Sequence, residues 1–181
     1  MKPLLLILLY FVSVDVNYSD SYQKDAWKCL DNSYKTLLTD PKQSAAYSMQ
    51  AYDILKQTTD SALIVYTLSM SGHAYMLYGN FDLSMNVYYK ALSYCPEKDL
   101  KAKAKINLNL GTLYGSLKDF SKAMELIDNA TSTYKVLNDS AGIANAYNES
   151  IFMPEKHGEA EAAAEPLACG CFLALTQERP T

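Results

Sequence analysis

The chain has 181 residues and a mass of 20.2 kDa, which suits one domain with a sizeable core. A formal net charge of −4 and a pI near 5.1 argue against a nucleic-acid partner, which needs a basic face. The four cysteines, Cys29, Cys95, Cys169 and Cys171, make no dense framework, and they neither require nor exclude a disulfide.

The start, MKPLLLILLYFVSV, carries one Lys and then a mostly apolar run from Leu4 to Val14, followed by polar DVNYSDSYQKD. That run is short for a membrane crossing and fits a secretory signal, although no A-x-A-like triplet precedes Asp20. Residues 1–19 are therefore expected to be a signal peptide or a short anchor, with a buried first helix as the other reading. The sequons at Asn17, Asn129, Asn138 and Asn148 count only in a eukaryotic secretory pathway, and a chain rich in Asn and Ser carries such triplets incidentally.

From about Ser21 to Ser150 the apolar residues recur at three and four, with Gly and Pro at the breaks, which predicts helix after helix. Asp40 is the expected N-cap of a helix with Pro41 at its first position, where the missing N–H costs nothing, and that helix should run to about Lys56. SALIVYTLSMSGHAYMLYG follows and ends near Gly79-Asn80, then FDLSMNVYYKALSYC runs to Pro96. A Gly-Asn turn that short makes the two helices antiparallel neighbours. The same arrangement returns from Asp99 to Leu117 and from Phe120 to Leu137, and SAGIANAYNES opens a fourth unit.

The repetition has a period. Gly72, Tyr75, Phe81 and Ala91 return 39 residues later as Gly111, Tyr114, Phe120 and Ala130, and Ala51 precedes Ala91 by 40. Self-similarity at such a period is the mark of a solenoid. Small residues suit a close helix crossing and aromatics fill the gaps between helices, so the aromatic stripe reads as core. Together with Tyr88, Pro96 and Ala123, these residues resemble the tetratricopeptide repeat family over roughly residues 22–152. Ser84 departs from that pattern where Ala is usual, Ile127 where an aromatic is usual, and Lys135 where Pro is usual. The first pair is weaker, with Asn32 in the Gly position. The resemblance implies an all-α fold, a right-handed α-solenoid of antiparallel helix pairs with a period of about 39–40, over residues 20–152.

Residues 153–181 differ in composition. Every Tyr and every Asn precedes Pro154, whereas the single Arg of the chain is Arg179. This atypical tail reads as a low-order, fused or frame-shifted segment.

Chemistry is sparse. The two histidines are His73, expected on the helix surface, and His157, which with Cys169 and Cys171 lacks the usual structural zinc spacing. No Gly-rich phosphate loop, H-E-x-x-H or EF-hand loop is present, so neither an enzyme nor a cofactor is expected. In the family, the first helix of each pair lines a concave groove. The resemblance therefore places Tyr66, Met70, His73 and Leu77 there, then Lys105, Asn109, Thr112 and Ser116, then Asn148. Asn109 and Asn148 lie 39 apart, and paired amides can donate to and accept from an extended peptide backbone. Solvated Asn is the plainer reading. Lys98, Lys101 and Lys105 form a basic strip, read first as a solvated face. The apolar start and the period look like the N-terminal sensory arrays of bacterial signalling regulators. That resemblance implies an extracytoplasmic, periplasmic or secreted module binding a protein or an extended peptide. It would touch membrane through its N-terminal segment or a missing C-terminal part. A free-standing scaffold is the alternative.

Overall fold

An Asp or Asn stands at positions 40, 60, 80, 99, 119 and 139, and each begins a helix by accepting, through its side chain, the backbone N–H three residues on. Such caps satisfy one of the orphan N–H groups at a helix start, each worth about 1 kcal/mol. The computed structural model describes residues 21–151, and the apolar start and the tail with His157, Cys169 and Cys171 lie outside them. Among the described residues there are seven helices and no strand. They are α1 over 21–36, α2 Pro41–Leu55, α3 Ser61–Leu77, α4 Phe81–Tyr94, α5 Leu100–Ser116, α6 Phe120–Val136 and α7 Ser140–Ile151. Three turns carry a residue in the left-handed region, Gly79, Lys118 and Asn138. In each, the next residue's N–H reaches back five positions, as from Asn80 to the Tyr75 carbonyl, and this closes the preceding helix.

From α2 onward each helix packs on the next, α1 meets α2 through Ser33 and Ser44, and α3 also touches α5, as α5 touches α7. The result is an α-solenoid of the tetratricopeptide type, with first helices in one layer and second helices in the other. The small residues set the spacing. A Cβ on Gly72 would lie 2.6 Å from Cε1 of Tyr88, and one on Gly111 would lie 2.8 Å from Cγ1 of Ile127, 39 residues along. Ala51, Ala91 and Ala130 are fully buried, as the period predicts. Ser84 fits the usual alanine position because its hydroxyl donates to the Gly72 carbonyl at 2.7 Å across the same crossing. Ile127 substitutes for the ring that Tyr88 supplies. Lys135, in place of Pro, ends α6 exposed, with Nζ 5.8 Å from the Tyr147 ring centroid.

The first two units are joined by hydroxyls. Ser44 Oγ donates to the Ser33 carbonyl at 2.8 Å and Ser71 Oγ donates to Ser48 Oγ at 2.8 Å, linking α1, α2 and α3. Helix α3 has no charged residue and is buried on nearly every side among α2, α4 and α5. A helix apolar all round belongs in a core. Its buried Thr67, Ser69 and Ser71 turn their hydroxyls back onto the carbonyls of Leu63, Val65 and Thr67.

His73 corrects the sequence reading. It is 2 % exposed, not a surface residue, because α3 buries the face that an ordinary amphipathic helix would leave open. Its Nε2 has no hydrogen-bond partner, and burial lowers its pKa from 6.5 to about 4.

Two outcomes follow from this packing. Gly72→Ala should cost roughly 1–3 kcal/mol in chemical denaturation, because its Cβ forces the Tyr88 ring to shift. An unchanged midpoint would contradict the close crossing. His73 is folded with a pKa below its unfolded value, so the unfolded chain binds the extra proton. Its contribution is complete above pH 6.5 and is lost as pH falls towards 4, about 3 kcal/mol in all. Urea midpoints at pH 7 and pH 4.5 should differ less in His73→Met than in the parent chain. An equal drop in both would contradict the burial.

Candidate functional site

The groove residues expected from the sequence sit on three adjacent first helices. Tyr66, Met70, His73 and Leu77 come from α3, Lys105, Asn109, Thr112 and Ser116 from α5, and Asn148 from α7. The contacts of α3 with α5, and of α5 with α7, bring these elements side by side. The residues do not share one exposure. Met70, His73 and Thr112 are buried beneath the surface, whereas Tyr66, Leu77, Lys105 and Ser116 are half-buried at it. Asn109 retains 9 % exposure and Asn148 is open to solvent. With Leu77 and Ser116 set apart at the C-terminal ends of α3 and α5, the strip that reaches solvent is Tyr66, Lys105, Asn109 and Asn148, and Met70, His73 and Thr112 form its floor.

Asn148 is not the structural equivalent of Asn109, contrary to the 39-residue spacing. Counted from the N-caps Asp99 and Asp139, Asn109 and Glu149 both stand ten residues on. The last interval is 40, so the repeat places Glu149 in the slot of Asn109 and turns Asn148 outward. Glu149 is 3 % exposed, and its Oε2 accepts the Thr112 hydroxyl at 2.9 Å, tying α7 to α5 inside the layer. The 39-residue spacing of Gly72 and Gly111 points from Asn109 to Asn148 and so conceals Glu149. Counting from the helix start would have found it.

The start of α7 is held to α5 a second way. Lys101 Nζ lies 3.1 Å from Asp139 Oδ2. The Gly142 backbone N–H first, and then the Lys101 ammonium, hold the Asp139 carboxyl below its ordinary range. Lys101 is therefore drawn out of the basic strip with Lys98 and Lys105 that the sequence suggested. Gly142 itself must be small, since a Cβ there would run into the Tyr134 ring of α6. At the other end of the layer Tyr66 meets Trp27 of α1, ring centroids 6.2 Å apart and tilted by 41°. Trp27 gave no periodic signal because the first pair departs most from the repeat pattern.

The strip offers the Lys105 cation, the Asn109 amide and the Tyr66 ring, with the Asn148 amide turned outward from the slot that Glu149 fills, and groups of these kinds can pair with backbone and side-chain groups of an extended segment. Among the described residues no three His, Cys, Asp or Glu side chains gather where a metal ion could sit, and no helix is long and apolar enough to cross a membrane. A recess lined by Tyr78, Gly79, Asn80, Phe81, Asp82 and Leu117 lies at the helix turns and contains none of the strip residues.

Two stretches, residues 65–98 and 104–135, match the family model described as Tetratricopeptide repeat. They coincide with the α3–α4 and α5–α6 pairs. No curated protein matches the chain. With seven helices in a solenoid, the two matches support a tetratricopeptide-repeat protein, and such repeats typically serve as non-catalytic modules for protein interaction.

Proposed function

We propose that this chain binds an extended segment of a partner protein along Tyr66, Lys105, Asn109 and Asn148, with Met70, His73 and Thr112 beneath. The observation that carries this reading is Asn109, a nearly buried amide with Lys105 one turn away on the central helix of the first-helix layer. The chain acts outside the cytoplasm as the exported sensory part of a bacterial signalling regulator. The apolar run from Leu4 to Val14 ahead of a repeat unit spanning 20–152 supports this placement.

Binding is tested with a peptide selected by display against the full chain, its affinity then measured by calorimetry. A hydrogen bond to a peptide backbone contributes about 0.5–1.5 kcal/mol net, so Asn109→Ala should weaken binding a few-fold to about tenfold. Adding Lys105→Gln should weaken it further. Equal affinity of the double variant and the parent would move the site off this strip. Export is tested separately in a bacterial host, where the mature chain should begin between Val14 and Gln23. A cytosolic product with Met1 intact would remove the export reading and leave a cytosolic scaffold.

A further inference from the structure

The turns that join first to second helices leave one large apolar residue exposed in each unit, Leu38, Tyr78 and Leu117, spaced 40 and 39 apart. Nothing in the family pattern or in the groove uses them. Between the second and third units this edge is hollowed into the recess of Tyr78, Gly79, Asn80, Phe81, Asp82 and Leu117. Its chemistry is specific. Of the six lining residues two are aromatic, one is aliphatic, and the single charge is the carboxylate of Asp82, exposed in the first turn of α4. The Tyr78 ring already attracts a cation, since Lys42 Nζ lies 5.9 Å from its centroid. Neither Lys42 nor Lys118, the residue after Leu117, lines the recess.

We propose that this recess is a docking pocket for an arginine side chain of a partner protein, its guanidinium stacked on the aromatic lining and directed to Asp82. The lining has the two features that a guanidinium requires. A ring face attracts the cation and accepts the flat group by stacking. A carboxylate beside it accepts the N–H groups, and that bond is stronger than a neutral one. Leu117 gives the aliphatic stem an apolar contact, as such stems seek. The pocket lies on the turn edge, apart from the strip on α3, α5 and α7, so one partner can engage both surfaces or two partners can engage one each.

The probe is N-acetyl-arginine amide, titrated into the full chain while backbone amide resonances are followed by NMR. Saturable shifts should centre on Tyr78–Asp82 and Leu117. Asp82→Asn should weaken binding by about fivefold, the upper end for an exposed ion pair, with its melting temperature close to the parent's. Tyr78→Leu should weaken it as well. N-acetyl-leucine amide at the same concentrations should give no saturation. Equal binding of the leucine amide would replace the cationic pocket by a general apolar contact and overturn the proposal. So would shifts that Asp82→Asn leaves unaltered, or the lack of any saturable shift at the recess.

Discussion

Three helix crossings too tight for a methyl group, at Gly72, Gly111 and Gly142, govern this molecule. At Gly72 and Gly111 the first helix of a pair runs so close to the second that Tyr88 and Ile127 occupy the space a side chain would need. A crossing that close fixes which faces of the pair are apolar, and hence what the next pair must cover. It also explains why Ser84 is tolerated, because a hydroxyl so near the Gly72 carbonyl gains a hydrogen bond at the cost of little volume. Where the chain departs from the small-and-aromatic pattern, in α1 and α2, the joint is made by hydroxyls instead, through Ser33, Ser44, Ser48 and Ser71.

Most of this architecture is legible in the sequence, because packing constraints act on residue types at fixed intervals. Gly72 with Gly111, and Ala91 with Ala130, reveal the pairs, and Asp40 with Pro41 marks a helix start. The Asp and Asn caps at intervals of 19 and 20 are a second, independent signal of the same frame. That second signal also detects the 40-residue last step, which the glycine spacing misses. The site was less legible, since exposure depends on the neighbouring units and not on the residue itself. His73 reads as a surface group on its own helix and becomes a core group once α3 is enclosed by its neighbours. Asn148 reads as a partner of Asn109, yet a one-residue shift rotates it outward and brings the carboxylate of Glu149 in.

The first-helix layer therefore has two levels with different physical roles. Met70, His73, Thr112 and Glu149 are buried within the layer, Glu149 tying α7 to α5 through Thr112, while Tyr66, Lys105, Asn109 and Asn148 are the residues proposed to meet a partner. Substitutions in the lower level act on stability, and through it on the spacing of the upper level. Substitution of the exposed Asn148 should leave folding nearly unchanged, whereas Tyr66, packed on Trp27, and Asn109, only 9 % exposed, contribute to packing as well, so binding and melting must be read together for them. The turn edge with its recess is a third surface, built by residues that neither level uses.

The central claim is that a partner lies along the first helices. Site-specific photo-crosslinking tests it most directly, with a photoreactive phenylalanine in place of Tyr66 on α3 or of Tyr89 on α4. Tyr66 is half-buried beside Trp27 on the first-helix layer, and Tyr89 is exposed on a second helix. The account predicts covalent capture of the bound peptide from position 66 and none from position 89. Capture from position 89 alone would contradict it.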